Sequence, residues 1–285
     1  MDRSTRKNSP REFQRSADYV QSLERGLAVI RAFGSQSPTM TLSAVAALTG
    51  LSRAVVRRQL LTLAHLGYVR QDGRSFALTP RVLELGYGFL GSQAYPEIAR
   101  PAMEALSRRI SESCSLGVLD CDDVVYMQRV PVRKVMTVTL GIGARLPAFC
   151  TSMGRVLLAG LDDPQLDAWL ATLVPRRVSE HTCTDRAEIR RLIRRAGDEG
   201  YAYVEQELER GLCSVAVPLR NPAGVVVAAL NVGMPYRDEA RARALGEVLP
   251  ALRSTALEVE RLAGPHFPAG PALASQPRGP LASNA

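Results

Sequence analysis

Apolar and polar residues between Leu42 and Val69 alternate at the spacing of two short helices separated by a turn. Ser43 and Ser52 stand where each helix would begin, and a serine hydroxyl in that position can accept a hydrogen bond from a free backbone N–H group. Gly50 can supply the left-handed residue that ends the first helix. The apolar side chains of the second helix recur every three or four residues and share one face: Val56, Leu60 and Leu63. The pattern predicts a helix-turn-helix.

The face of the second helix opposite this apolar stripe is basic. Guanidinium groups bond guanine edges and phosphates in the major groove of DNA, so this face is a candidate for reading DNA. A solvated charged face is the alternative that this segment alone leaves open. The residues expected at the DNA are Ser52, Arg53, Ala54, Arg57 and Arg58.

A β-hairpin is predicted directly after this helix. Residues 68–71 and 75–78 alternate in the manner of strands, and the Asp-Gly pair between them favours a tight turn. A hairpin in this position forms the wing of a winged helix. It would bring Arg70 and Arg74 to the DNA backbone or minor groove.

Further helices are predicted on both sides of the winged helix. One begins at Ser22, places Leu23, Leu27 and Ile30 on one face, and is expected to support the next two helices. The Thr-Pro pair at residues 79–80 is typical of a helix start, and it predicts a linking helix between two domains.

The linking helix contains the segment GYGFLG, residues 86–91, which matches the G-x-G-x-x-G pattern of dinucleotide sites. A helix start precedes this segment where a dinucleotide site has a buried strand, so no nucleotide cofactor is predicted. Because glycine weakens helices, the segment predicts a bend or an early helix end.

Helical and strand-like segments alternate from Tyr95 onward, which indicates a second, mixed domain. Helices are expected over 101–110, 154–161, 163–173, 185–199 and about 239–262, and strands over 115–119, 124–130, 135–140, 202–205, 214–219 and 225–232. The predicted organisation is a disordered arm at 1–17, a winged helix at 18–80, a linker helix at 81–94, a second domain at 95–262 and a disordered tail at 263–285.

The net charge of +8 lies almost entirely in the first third of the chain. Residues 1–91 contain thirteen Arg and Lys against six Asp and Glu, a net of +7, and residues 92–285 contain twenty-three against twenty-two, a net of +1. A polyanion is the simplest partner for such a basic segment, because neutralising phosphates releases counterions.

Several function classes find little support in the sequence. No apolar run reaches the roughly 20 residues that span a membrane, and no apolar signal segment is present, so a cytoplasmic protein without a membrane partner is expected. The odd number of widely spaced cysteines favours reduced thiols. No C-x-x-C pair occurs, and no metal is predicted, although a loose ligand set can be drawn from Cys150, Cys183, Cys213, His181 and Asp185. None of the three histidines lies beside a plausible nucleophile and no hydrolase motif occurs, so an enzyme is not expected.

Residues 141–160, GIGARLPAFCTSMGRVLLAG, place Cys150, Thr151 and Ser152 between a predicted strand and a helix. Small hydroxyl side chains and free N–H groups at a helix N-terminus form an anion site. A plain strand-to-helix connection explains the same spacing equally well.

Separate blocks of the chain, in the same order, resemble the IclR family of bacterial transcription regulators. Together with the winged helix they span residues 19–262, and they read YVQSLERGLAVIRAF, RLPAFCTSMGRVLLAG, YVEQELERGLCSVAVPL and VVAALNVG. Within the family these motifs are most similar to those of the branch that controls aromatic-acid catabolism through the β-ketoadipate pathway. That branch comprises the protocatechuate and 4-hydroxybenzoate regulators.

This resemblance implies an α+β protein, in which the N-terminal winged helix-turn-helix is joined by a linker helix to a GAF-like antiparallel α/β effector domain. It also implies a homodimer or tetramer on a palindromic DNA operator, and a small organic acid bound by the second domain. The effector residues that it implies by position are Val135, Val138, Leu146, Ser152, Met153, Glu205, Leu212, Ser214 and Asn231.

The chain departs from the family pattern at Phe149, where many relatives have histidine. An acidic pocket residue of relatives corresponds to Val204 or Glu205, and Arg145 is a possible charge partner for a dicarboxylate. The resulting hypothesis is a ligand-responsive DNA-binding regulator without a cofactor. The alternatives are an enzyme or metal-dependent sensor with a protein-docking N-terminal domain, and a basic architectural protein without a ligand. Nothing in the sequence distinguishes an activator from a repressor.

Overall fold

The computed structural model of the protein describes residues 14, 16–34, 37–132 and 141–270. The chain divides into two compact units on either side of the Ser92–Gln93 peptide bond, and each unit has an apolar core of its own. A helical N-terminal unit and an antiparallel sheet with helices in the second unit confirm the predicted α+β class.

The first unit has the order of elements that the winged-helix prediction requires. Its helices are α1 (Gln21–Ala32), α2 (Leu42–Thr49), α3 (Arg53–His65) and, after a 3-10 turn at Pro80–Leu83, α4 (Glu84–Ser92). Its strands are β1 (Thr39–Thr41), β2 (Val69–Asp72) and β3 (Ser75–Leu78), which pair antiparallel in the order β1-β3-β2. Only β1 was not predicted, because three residues are too short to show an alternating pattern.

The turn between α2 and α3 follows the predicted chemistry with one correction. Gly50 adopts φ 66°, a left-handed conformation that glycine reaches without strain. Ser52 caps α3 by accepting a hydrogen bond from the Val55 N–H at 3.4 Å. The prediction that Ser43 caps α2 is wrong, since Thr41 Oγ1 accepts from the Ala44 N–H at 3.3 Å and the helix begins at Leu42.

Two other details of this unit differ from the sequence pattern. In α1 the buried residues are Val29 and Ala32, whereas Leu23 and Leu27 are 62% and 47% exposed and only Ile30 of their stripe packs partly against the core. Helix α4 runs through all three glycines and ends at Ser92, so the early end expected from them does not occur before Gly91. A glycine weakens a helix by about 1 kcal/mol but does not prevent helical geometry.

The second unit is a six-stranded antiparallel sheet with helices on both faces. The strands, in the order β6-β5-β4-β9-β8-β7, are β4 (Ser113–Asp120), β5 (Asp123–Val130), β6 (Arg145–Pro147), β7 (Ala202–Glu205), β8 (Leu212–Arg220) and β9 (Val226–Pro235). The helices are α5 (Tyr95–Ile110), α6 (Ser152–Leu158), α7 (Asp163–Thr172), α8 (Arg186–Glu199), α9 (Ala240–Arg243) and α10 (Leu249–Ala263). The predicted strand at 135–140 lies outside the described residues, and β6 was not predicted.

The sheet separates two apolar cores. Helices α5 and α10 pack on one face, around Met103, Leu230 and Leu252. Helices α6 to α8 cover the other face, around Met153, Leu166 and Ile189. Alternate residues of each strand therefore face different cores, and this alternation decides which side chains reach a site on the α6 face.

The end of the described chain differs from prediction in two ways. The expected helix from about 239 to 262 is divided by a π-helical turn at Ala244–Val248, just before Pro250, which has no N–H group for a regular helical bond. Ordered structure also extends beyond residue 262. Phe267 is buried against Tyr95 with ring centroids 5.1 Å apart, so this part of the predicted tail packs on the domain.

Helix α6 begins unusually close to the backbone that precedes it. A Cβ atom at Gly154 would overlap the Cα and carbonyl oxygen of Ala148, and a backbone neighbour cannot move aside as a flexible side chain can. Residue 154 must therefore be glycine for the turn at residues 148–152 to hold its shape.

We expect Gly154→Ala to lower the free energy of unfolding by at least about 2 kcal/mol, because the added methyl group forces the turn and α6 apart. Urea denaturation followed by circular dichroism measures the change. Gly246→Ala is the matched control, since a Cβ atom at Gly246 meets no atom within 4 Å. Equal stability of the two variants would contradict the prediction.

Candidate functional site

The outward face of α3 is fully available to a partner in the first unit. Val56, Leu60 and Leu63 point into the core. The residues predicted at the DNA are all exposed: Ser52, Arg53, Ala54, Arg57 and Arg58. Within the described part of the chain, none of the three guanidinium groups forms an ion pair. The face therefore carries three uncompensated positive charges beside a capped helix N-terminus.

The hairpin after α3 adds two further exposed arginines. Asp72 pairs with Ser75 across a turn in which Gly73 has φ 56°. Arg70 lies on β2 and Arg74 in the turn, and both side chains are exposed. The structure thus presents every residue of the predicted DNA contact at the surface of one unit, and contact with DNA remains a prediction.

A cavity lies in the second unit between the sheet and the N-terminus of α6. The cavity has a volume of ≈ 170 Å³ that the centre of a water-sized molecule can occupy, which is room for more than a single water molecule. Its floor consists of small polar and apolar residues at alternating positions of four strands: Ser113, Ser115, Val204, Ser214, Asn231 and Gly233.

The start of α6 forms a second wall of the cavity. Thr151 caps the helix by accepting a hydrogen bond from the Gly154 N–H at 3.2 Å. The Ser152 hydroxyl lies 2.8 Å from the Ser214 hydroxyl on the sheet floor. The N–H groups of Ser152 and Met153 belong to the first helical turn, which has no acceptor for them within the helix. This wall therefore offers hydrogen-bond donors from Ser152 and the backbone next to the apolar side chain of buried Met153.

Arg129 and Tyr126 reach the cavity together because β5 contains a bulge. Gly117 pairs with Tyr126 and Ser115 with Arg129, so one extra residue of β5 fits between two positions on the same face. The Arg129 Nη1 group donates to the Ser115 hydroxyl at 3.4 Å. Within the described chain Arg129 has no acidic partner.

Burial raises the pKa of Tyr126 to about 12, an effect that the positive charge of Arg129 partly opposes. A phenol with its ordinary pKa of 10 is already protonated at neutral pH, and burial extends this protonation to higher pH. The side chain therefore stays a neutral hydrogen-bond donor beside the guanidinium group. The Cys150 thiol, which also lines the cavity, has a pKa raised to about 12, mainly by burial, so it too stays protonated.

A buried ion pair holds the third wall of the cavity, residues 206–209. Arg155 of α6 is 4% exposed, and its Nη2 donates to Glu207 Oε1 at 2.7 Å. Glu207 Oε2 also accepts from the Cys183 N–H at 3.2 Å, and its backbone oxygen accepts from the Thr182 hydroxyl at 2.7 Å. The wall is thus attached both to the helix that carries Ser152 and to the segment before α8.

The structure brings together most of the residues predicted for the effector. Those that line the cavity are Leu146, Ser152, Met153, Leu212, Ser214 and Asn231. Glu205 does not, because β7 directs Val204 to the cavity and Glu205 alternates to the opposite face, beside Cys213. Val135 and Val138 lie outside the described residues.

The possible charge partner Arg145 is also placed elsewhere. Its guanidinium group binds Asp120 at 2.6 Å and Asp123 at 3.0 Å, and it is absent from the cavity lining. Sequence reasoning missed Arg129 and Tyr126. The available signal was an arginine at the end of a strand that is otherwise largely apolar, but the bulge that turns it inward has no sequence signature.

Metal ligation finds no geometric support in the described residues, where no three His, Cys, Asp or Glu side chains converge on one point. The cysteines of the loose ligand set are dispersed, with Cys150 at the cavity and Cys213 in the opposite core. No helix among the described residues is long and apolar enough to cross a membrane.

Two known family models match the chain, one for each unit. The family model described as IclR helix-turn-helix domain matches residues 22–73, and the model described as bacterial transcriptional regulator IclR C-terminal matches residues 89–261. These models describe DNA-binding regulators and not enzymes.

Curated relatives and solved structures match over most of their length. The chain is 39% identical to the Pca regulon regulatory protein of Pseudomonas putida, covering 85% of this chain and 84% of the relative. It is 34% identical to the p-hydroxybenzoate hydroxylase transcriptional activator of Acinetobacter baylyi, covering 87% and 93%. An IclR homolog from Microbacterium hydrocarbonoxydans, crystallised with 4-hydroxybenzoate, is similar with a TM-score of 0.72 and 26% identity, covering 84% and 98%. The chain belongs to the IclR family of bacterial transcriptional regulators.

Proposed function

We propose that this protein controls genes of aromatic-acid catabolism by binding a palindromic operator, and that a small carboxylic acid in the cavity changes its affinity for that operator. One observation carries the proposal. Six residues from four separate segments converge on one cavity, which also holds an arginine without an acidic partner among the described residues. A protein that binds chromosomal DNA in a bacterium acts in the cytoplasm.

The DNA-binding part of the proposal rests on charge and exposure. Arg53, Arg57 and Arg58 face outward from one helix and are not neutralised by described neighbours. In a winged helix the corresponding helix enters the major groove, where bidentate arginine contacts discriminate bases. Arg70 and Arg74 of the wing would contact phosphates, which add affinity without sequence preference.

A homodimer, which can pair further into a tetramer, accounts for the exposed apolar side chains of the first unit. Leu23 and Leu27 of α1 and Tyr87 and Phe89 of α4 are each between 47% and 76% exposed. Exposed clusters of large apolar residues mark association surfaces. A twofold dimer presents two recognition helices, which explains a palindromic operator.

The carboxylic acid would bind where positive charge meets hydrogen-bond donors. Arg129 supplies an unneutralised guanidinium group, the neutral Tyr126 phenol lies near it, and Ser152 and Met153 supply backbone donors. Leu146 and Leu212 provide apolar walls for a ring. The relative crystallised with 4-hydroxybenzoate supports an aromatic acid as ligand.

Regulation requires that the acid bind the DNA-competent and DNA-incompetent arrangements unequally. The cavity walls combine β-strands with the start of α6 and residues 206–209. A ligand that contacts all three walls would bind most tightly to one particular spacing of them, which is the differential contact that regulation needs.

Replacing both helix arginines, Arg57→Ala with Arg58→Ala, is expected to weaken operator binding on the order of 10²-fold at fixed salt, because each base or phosphate contact is worth about 1–3 kcal/mol. The salt dependence of binding should also become shallower. Fluorescence anisotropy with an operator selected from random duplexes measures both, and the same titration gives the number of chains per operator.

The matched control for this variant is Arg108→Ala with Arg109→Ala, an adjacent pair of exposed arginines on α5. It removes the same charge from the other unit and should leave operator affinity within about twofold. An unchanged affinity and salt dependence for the Arg57 and Arg58 variant would refute the assignment of the helix face.

Arg129→Met is expected to weaken binding of hydroxybenzoates at least about tenfold, because it removes the charge partner of the carboxylate and keeps the aliphatic stem. Isothermal titration calorimetry measures the affinity. Arg145→Met is the control, because that guanidinium group is occupied by Asp120 and Asp123 away from the cavity. Equal losses in both variants, or no loss at Arg129, would count against the assignment.

A further inference from the structure

Gln128 is a buried polar residue that lies beside the cavity without lining it. Its neighbour on β5, Arg129, faces the cavity. Gln128 itself pairs with Leu116, which belongs to the core on the opposite face of the sheet, under α5 and α10. The residue is 2% exposed, so its amide needs hydrogen-bond partners within the protein.

Both ends of the Gln128 amide have such partners. Its Oε1 accepts from the backbone N–H of Arg129 at 2.9 Å, and its Nε2 donates to Glu97 Oε1 at 2.9 Å. The orientation of the amide follows from these partners, because a backbone N–H can only donate and an ionised carboxylate can only accept. Gln128 thus bridges the main chain of a cavity residue to Glu97.

Glu97 lies in the first turn of α5, where the second unit begins. Helix α4 of the first unit ends at Ser92 and α5 begins at Tyr95, so only residues 93 and 94 separate the two helices. The bond between Gln128 and Glu97 joins residues 31 positions apart in the chain. It therefore attaches the start of α5 to the strand that carries Arg129.

The bridge differs from other buried polar groups in the helices on this face of the sheet. The Ser107 and Thr255 hydroxyls donate to backbone oxygens five and four residues away, within or beside their own helices. Such local bonds stabilise a helix but cannot report on the cavity. The Gln128 amide connects two elements, and one of its two bonds is made to a residue of the cavity.

The Glu97 end of the bridge can be released at little cost. The Glu97 side chain is 66% exposed and also pairs with Arg100 at 3.4 Å. A carboxylate that keeps water and a second cation as partners loses little when one hydrogen bond breaks. The bonded and released arrangements are therefore close in free energy, as a regulatory element requires.

We infer that Gln128 is a positioning residue that transmits acid binding at Arg129 to the start of α5, and so to the segment that leads into the first unit. This inference rests on the proposed function, since it requires that an acid bind at Arg129 and change operator affinity. A carboxylate on the guanidinium group competes with its 3.4 Å contact to Ser115 and displaces Arg129. The N–H of Arg129 then moves relative to Gln128, and the bond to Glu97 is strengthened or released.

Operator affinity measured with and without saturating acid tests this inference on the full chain. The acid is whichever of benzoate, 3-hydroxybenzoate, 4-hydroxybenzoate and adipate changes wild-type affinity most in fluorescence anisotropy. Gln128→Met removes both hydrogen bonds at similar side-chain length and should bring the ratio of the two operator affinities at least about threefold closer to one. Acid affinity without DNA, measured by calorimetry, should stay within about threefold, because Gln128 does not line the cavity.

Variants of Glu97 test the other end of the bridge. Glu97→Ala should lower the ratio as Gln128→Met does, and the double variant should lower it no further, because the two residues act through one bond. Glu97→Gln should keep the wild-type ratio, since its amide oxygen still accepts from Gln128 Nε2. Glu104→Ala is the matched control on α5, because this carboxylate also pairs with Arg100 at 3.4 Å, and it should leave the ratio unchanged.

Hydrogen exchange followed by mass spectrometry gives a measurement that does not need DNA. Acid should change the exchange of the wild-type peptide that covers the first turn of α5, and Gln128→Met should abolish that change. An equal change in both proteins would contradict transmission through Gln128.

The outcomes separate this inference from the proposed function. If no acid binds the wild-type protein or changes its operator affinity, the proposed function is wrong and the inference falls with it. A wild-type ratio in both Gln128→Met and Glu97→Ala refutes the role of Gln128 while acid sensing stands. Weaker acid binding by Gln128→Met with an unchanged ratio at saturation also refutes it, because such a residue only shapes the cavity. If thermal melting shows that Gln128→Met is unfolded, the exposed variant Glu97→Ala decides.

Discussion

The buried ion pair between Arg155 and Glu207 determines the shape of the cavity. Two charges removed from water are tolerated when they pair, and removing one partner of such a pair costs on the order of 3–5 kcal/mol. Losing a neutral hydrogen bond costs about 1 kcal/mol. The pair attaches residues 206–209 to α6, and replacing either partner alone should disturb this wall of the cavity more than losing one of the surrounding hydrogen bonds.

Close packing at the start of α6 also positions a wall of the cavity. Gly154 allows the backbone to approach Ala148, and Thr151 caps the helix that follows. Ser152 is then delivered to the hydroxyl of Ser214 on the sheet. The donors at this helix start are thus positioned by contacts within the protein, as preorganisation of the proposed binding site requires.

Local patterns predicted the elements well where a single physical cause decides them. Gly50 and the apolar stripe of α3 followed from helix chemistry, and the Asp-Gly pair predicted the wing. The predictions that differ from the structure concern features that depend on tertiary packing. The inward face of α1 depends on which stripe finds a partner, and the inward residue of β7 depends on where the strand begins, so Val204 and not Glu205 reaches the cavity. The position of Arg129 in the cavity follows from the pairing of β4 with β5, and the periodicity of one sequence does not reveal that pairing.

The bulge in β5 decides whether Arg129 faces the cavity, so the charge of the cavity depends on strand register as well as on residue type. Side chains of a regular strand change face at every position, so an insertion or deletion of one residue beside Met127 would transfer Arg129 to the core occupied by Met103 and Leu252. Family members can therefore gain or lose a partly buried positive charge through strand length alone, with every residue type conserved. Aligning such relatives by sequence identity would pair arginines that face opposite cores, and the pairing partner on β4 is the safer guide to equivalent positions in the cavity.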